Sequence, residues 1–91
     1  MNLPVAQAAR LFGLLSNETR LRVLLALAEG DEHVAVEGLA KALGVSQSAL
    51  SYHLQQLRLG GAVTCRSEGN THFYALAPGP ARDILLRHVR P

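Results

Sequence analysis

Apolar positions along this 91-residue chain recur at two different periods, and the change of period divides it. Val5, Ala8, Ala9, Phe12 and Leu15 return at helical spacing, and Asn2 and Pro4 before them suit a helix start. Asn can cap free amides and proline tolerates a first turn. A second helix opens at Asn17, a capping residue, with Glu18 complementing the dipole of its first turn. In "ETRLRVLLALAEG", Leu21, Leu24, Leu25 and Ala28 line one face, Val23 and Leu27 make a second side apolar, and Gly30 is the expected stop. A helix apolar on two sides belongs at the centre of a core. "VEGLAKALG" reads as a short third helix ended by Gly44, and after only Val45 and Ser46 a fourth begins, capped by Ser46 and closed by Gly60 and Gly61. Two short helices joined so tightly make a helix-turn-helix. Beyond them the period shortens to two, with "AVTCRS" and "THFYALA" alternating around "EGN", the pattern of a β-hairpin. Pro78, Gly79 and Pro80 end it, and "ARDILLRHV" is a fifth, amphipathic helix. The segment "DEHVAV", between the second and third helices, can hold a brief strand. The expected fold is mainly helical α+β in a single domain over residues 1–91, with five helices and a two-stranded hairpin.

The fourth helix, "SQSALSYHLQQL", carries two unlike faces. Leu50, Leu54 and Leu57 fall within a stripe about 60° wide, with His53 on its edge. Ser48, Tyr52 and Gln55 lie opposite, flanked by Ser51 and Arg58. Faces that meet only water favour Lys and Glu, whereas neutral hydroxyls and amides match the mixed donors and acceptors of base edges in a major groove. Residues near the amino end of such a helix reach the bases, here Gln47, Ser48, Ser51 and Tyr52. The alternative is a solvated face of chance composition.

In the hairpin, alternation puts Val63 and Cys65 on one face and Thr64, Arg66 and Glu68 on the other. Arg66, Asn70 and Thr71 fall at or beside the tip, where a basic residue and small polar groups can touch phosphates or enter a minor groove. An ordinary solvated turn is the alternative. His72, on the Tyr74 side, either packs or reaches DNA.

"NETRLRVLLALAEG" followed by "LAKALGVSQSALSYHLQQLRLGGAVTCRSEGNTHFYAL" resembles the ArsR/SmtB family of bacterial winged helix-turn-helix repressors. The most specific pieces are "TRLRVL", "SQSALSYHL" and "EGNTHFYAL". The resemblance implies that the hairpin is a wing and that the protein is a homodimer pairing its first and last helices. It also implies an inverted-repeat operator in double-stranded DNA, released when a ligand or oxidant is sensed. Two-fold symmetry would set the reading helices in major grooves about 34 to 36 Å apart. The candidate DNA-binding residues are then Ser46, Gln47, Ser48, Ser51, Tyr52, Gln55 and Arg58 on the helix, with Arg66, Asn70 and Thr71 on the wing.

Composition narrows the classes. An apolar fraction of 48% with 18% charged residues describes a folded chain. No apolar run approaches the roughly 18 residues needed to cross a membrane, and "MNLPVAQAAR" lacks a signal peptide's basic start, so the cytoplasm is expected. The net charge is only +2, but residues 38–91 hold six Lys or Arg against two acids, while residues 1–37 hold three Arg against five. The carboxyl half is the face for an anionic partner. No nucleophile-base-acid set or phosphate-binding glycine loop is present, so no enzyme is expected.

Cys65 is the only cysteine, which excludes an internal disulfide and a multi-thiolate metal site within one chain. The family's Cys-Val-Cys metal positions fall on Ala35 and Glu37. Its second site takes an Asp and a His two residues apart. The last helix here offers Asp83 and His88, about 140° apart on a wheel, among Arg82, Arg87 and Arg90. His33 with Asp31, Glu32 and Glu37 is a further cluster, and a helix would make His33 and Glu37 neighbours, but an acidic loop is the preferred reading. Cys65 is expected as a core residue, and His53 as a packed one with a ring nitrogen hydrogen-bonded. No cofactor or metal is expected, and a small-molecule or metal effector stays open. The leading reading is a dimeric, sequence-specific DNA-binding repressor. The alternative, favoured by the low net charge, is a winged-helix protein-protein interaction module.

Overall fold

In a computed structural model of the chain, which describes residues 2–30 and 33–91, the other elements gather around α2 (Glu18–Ala28). Val23, Leu24 and Leu27 are its buried residues, while Leu21, Leu25 and Ala28 are partly covered. The deepest residues therefore come from both sides that the sequence marks, Leu24 from the first and Val23 and Leu27 from the second. A helix apolar on two sides can bury both only when neighbours wrap it. Against α2 lie α1 (Val5–Leu15), α3 (Val36–Leu43), α4 (Gln47–Leu59) and α5 (Pro80–His88).

Local chemistry sets the helix ends. Asn17 Oδ1 accepts the Arg20 N–H at 3.0 Å, and Ser46 Oγ accepts the Ala49 N–H at 3.1 Å, as expected. Such caps contribute about 1 kcal/mol each. Gly44 adopts φ 67° to end α3, and the turn it makes leads directly to Ser46 and α4. One expectation fails at this level: Asn2 does not cap α1, whose N-cap position is Pro4 with no side-chain bond. α2 ends at Ala28 with Glu29 as its C-cap, and Gly30 follows directly.

The sheet has three strands rather than two. β1 (Val34–Ala35), β2 (Val63–Glu68) and β3 (Thr71–Leu76) form an antiparallel sheet in the order β1-β3-β2. Val34 pairs with Tyr74, and Val63 through Glu68 pair with Leu76 through Thr71. The brief strand in "DEHVAV" thus covers the edge of β3 that a lone hairpin would leave open. His33 precedes that strand and α3 begins at Val36, so the helical spacing of His33 and Glu37 does not arise. The rest of that cluster, Asp31 and Glu32, lies outside the described residues. At the hairpin tip Gly69 takes φ 59° and Asn70 keeps a negative φ, which suits a two-residue turn.

α1 departs from its expected face, and α5 is amphipathic as expected. On α1 the residues turned inward are Leu11, Leu14 and Leu15, while Val5 is 86% and Phe12 59% exposed. On α5, Ala81 and Leu85 are buried and Leu86 is 58% exposed. Leu14 also meets the end of α4, where a Cβ on Gly60 would stand 2.5 Å from Leu14 Cδ2. No helix of the described residues is long and apolar enough to cross a membrane.

Candidate nucleic-acid interface

The inward stripe of α4 decides what its other faces can do. Leu50, Leu54 and Leu57 are fully buried, each contributing about 1.5–3 kcal/mol of transfer free energy. Pinned by these three, the helix turns Gln47, Ser51, Gln55 and Arg58 toward the wing across a cleft of about 720 Å³. The facing wall is Asn70, Thr71, His72 and Tyr74, and Val36 and Glu37 of α3 join it with Leu59. Gln47, Ser51, Gln55 and Arg58 of the helix and Asn70 and Thr71 of the tip are thereby brought to one site.

Four candidates lie elsewhere. Ser48 and Tyr52 sit beside the cleft on the open side of α4; Tyr52 is 57% exposed, its ring edge-on to His53 at 5.6 Å. Ser46 is occupied by its cap and stands 3.4 Å from Ser48 Oγ. Arg66 points to the face of the hairpin away from the cleft. Its Nε lies 3.4 Å from Glu68 Oε1 and its guanidinium 5.6 Å from the Phe73 ring centroid. Both partners of that ion pair are largely exposed, so it contributes little and leaves Arg66 open to exchange it for a phosphate.

The cleft is almost neutral. Among the described residues Arg58 and Glu37 are its only strongly charged side chains, and the remainder are amides, hydroxyls, an imidazole and apolar groups. Burial holds the Tyr74 phenol above its ordinary pKa of 10.0, the neighbouring Cys65 thiol adds to the rise, and Arg58 opposes it. The phenol is therefore an O–H donor at neutral pH. His72 is exposed rather than packed, its Nδ1 3.0 Å from Ser67 Oγ and 4.0 Å from Cys65 Sγ. Cys65 is half-buried on the inner face of β2, short of the full core burial expected. His53 is partly buried and accepts a hydrogen bond from Arg20 Nε at 3.2 Å, as its place on the seam suggested.

Among the described residues no three His, Cys, Asp or Glu side chains come together as a metal site. Ala35 ends β1 and Glu37 lies in the first turn of α3. Asp83 and His88 border one shallow groove on α5, and Arg87 lies between them in sequence and in that groove. Glu37, Val36 and Leu59 are cleft residues that the sequence reading did not place there. β-alternation signalled only that His72 and Tyr74 share a face.

Comparison with known proteins sets this geometry in a wider frame. Residues 15–66 match a helix-turn-helix domain family. The transcriptional activator HlyU of Vibrio cholerae is 43% identical over 80 residues, 88% of this chain and 72% of HlyU. The solved structure of HlyU superposes with a TM-score of 0.83 at 37% identity, covering 94% of this chain and 91% of that one. A putative arsenical resistance operon repressor of Halobacterium salinarum, ArsR2, is 35% identical over 82 residues, 90% of this chain and 67% of its own length. Mb0332 from Mycobacterium bovis is described as a homodimeric winged helix-turn-helix DNA-binding domain and a possible ArsR-family regulator. It superposes with a TM-score of 0.80 at 35% identity, covering 90% of this chain and 74% of that fragment.

Proposed function

Because this chain belongs to the ArsR/SmtB family of winged helix-turn-helix transcriptional regulators, we propose that it works as a cytoplasmic homodimer that reads an inverted-repeat operator and represses the promoter beneath it. It is a DNA-binding regulator and not an enzyme. The observation that carries the operator reading is the cleft between α4 and the wing, neutral along its walls and backed by three fully buried leucines. Neutral donors and acceptors gain little from a phosphate but discriminate among base edges, where one good pairing is worth about 1–3 kcal/mol.

Residues 1–91 act as one domain in this reading, and α4 enters the major groove with Gln47, Ser48, Ser51, Tyr52 and Gln55 toward the bases. Ser46 presents the amino end of the helix, Arg58 and Arg66 meet phosphates on either side of the wing, and Asn70 and Thr71 follow the adjacent backbone or minor groove. A second copy covers the exposed apolar side chains of the terminal helices, Val5 and Phe12 on α1 and Leu86 on α5. Neither metal-ligand set of the family is reproduced at Ala35 and Glu37 or at Asp83 and His88, so a signal that releases the operator acts through other groups. Repression is the direction carried by the name of the ArsR2 relative, while HlyU is named an activator.

The test is a titration of fluorescent duplexes, selected by the purified protein from genomic fragments, at 50 and 200 mM salt. A dimer using Arg58 and Arg66 makes about four phosphate contacts, so affinity should fall by about two orders of magnitude between those salts. Failure to bind any duplex at the lower salt would sink the proposal. A promoter fusion carrying the selected site then reads the direction, and transcription that rises with the protein would replace repression by activation.

A further inference from the structure

Arg20 of α2 hydrogen-bonds two other helices at once. Its Nε donates to His53 Nδ1 on α4 at 3.2 Å, and its Nη1 donates to the Leu14 carbonyl oxygen in the last turn of α1 at 3.3 Å. Its own N–H is held by Asn17 Oδ1 at 3.0 Å, which anchors the root of the side chain. Among the described residues the Arg20–His53 bond is the only one between side chains of different helices. Both residues are partly buried, and neither forms an ion pair with a carboxylate of the described residues. A guanidinium that donates to Nδ1 requires the lone pair there, which places the ring proton on Nε2. At α1 the same cation meets the partial negative charge of a helix C-terminus.

A second point of approach lies farther along α4, where Leu14 of α1 fills the space left by the missing side chain of Gly60. α1 is thus tied to α4 at His53, through Arg20, and again at Gly60. One point of attachment fixes where a helix sits, and two fix its tilt. The buried leucines of α4 choose the face that points outward, but side-chain packing alone leaves a crossing angle about 15–20° of scatter, which a directed hydrogen bond narrows.

We propose that Arg20 and His53 form a positioning strut that fixes the tilt of α4 against α1, and through it the separation of the two reading helices in the dimer. The pair thereby selects the half-site spacing of the operator. This rests on the dimeric DNA-binding reading above. Arg20 suits the task because its planar fork reaches two acceptors in fixed directions, which a lysine ammonium cannot do.

The experiment uses three duplexes carrying the selected half-sites, with the centre shortened by one base pair, unchanged or lengthened by one. Each base pair alters the separation by about 3.4 Å and rotates the half-sites by about 35°. The full chain should prefer the unchanged spacing. His53→Leu and Arg20→Lys should lose about five- to tenfold on that duplex and bind all three spacings within about twofold, while their preference among half-site bases is kept. His53→Asn, which restores an acceptor near the Nδ1 position, should retain the spacing preference. Arg20→Lys keeps the charge and the aliphatic stem, so it reports even where His53→Leu fails to fold. An Arg20→Lys protein with the parent's spacing preference overturns this inference alone. A parent chain that binds no duplex overturns the DNA-binding reading and this inference together.

Discussion

α4 and α1 are both short amphipathic helices packed on the same core, yet they face the solvent in opposite ways. In α4 the stripe of Leu50, Leu54 and Leu57 is fully buried, and its outer sides carry amides, hydroxyls and one guanidinium, with Leu59 left exposed at its last residue. In α1 the apolar residues exceed what the core can take, and Val5 and Phe12 remain outside. Outward polarity with a single charge suits a helix that meets base edges. Outward apolarity suits one that meets another protein surface, because an exposed Phe loses its transfer free energy to water until something covers it. On the proposed reading, the fold separates its two kinds of contact onto two helices, tied to each other through α2.

That contrast can be broken at its strongest point first. Leu54→Ala, on the buried side of α4, should destabilise the fold by about 2–5 kcal/mol in a denaturant melt, with DNA binding lost alongside. A change below half a kcal/mol would mean that this stripe does not hold the helix. Next in size is Phe12→Glu, which should raise the dimer dissociation constant by about a hundredfold in sedimentation while leaving the melt of the monomer nearly unchanged. A dimer that persists would remove α1 from the interface. Smallest is the pair Ser51→Ala with Tyr52→Ala, expected to weaken binding to the selected duplex by about ten- to a hundredfold and binding to a scrambled one hardly at all. Equal losses on both duplexes would make these side chains phosphate contacts instead of base readers.

How far such assignments were legible in the sequence depended on the range of the interactions. Asn17, Gly44 and Ser46 act within one helical turn, so their caps could be placed before any fold was known. The outward side of α4 was legible for the same reason, since three leucines at helical spacing specify the side opposite them. α1 was misjudged because it carries two apolar sides, and periodicity cannot tell which of Val5–Phe12 or Leu11–Leu14–Leu15 will find the core. A two-residue strand is too short for any period, so β1 could be suspected only from composition. The cleft was half visible. Alternation assigned Arg66 and His72 to opposite faces of the hairpin, but only the docking of the sheet against α3 and α4 decides which face looks at the reading helix. Glu37 joins the site through that docking and left no local signal.

The shortest element of the fold has the longest reach. β1 is held to β3 at Val34 and Ala35, and the next residue, Val36, is already the first of α3. No linker intervenes between the sheet that bears the wing and the first helix of the helix-turn-helix, so the wing is tied by continuous backbone to α3, which packs on the α4 wall of the cleft. A ligand entering between them meets a gauge of fixed width at its base, and little chain entropy has to be surrendered to set that width on binding. Fit to such a gauge has to come from the groove itself, so sequences whose grooves already have, or easily adopt, the matching width would be preferred even at positions no side chain touches.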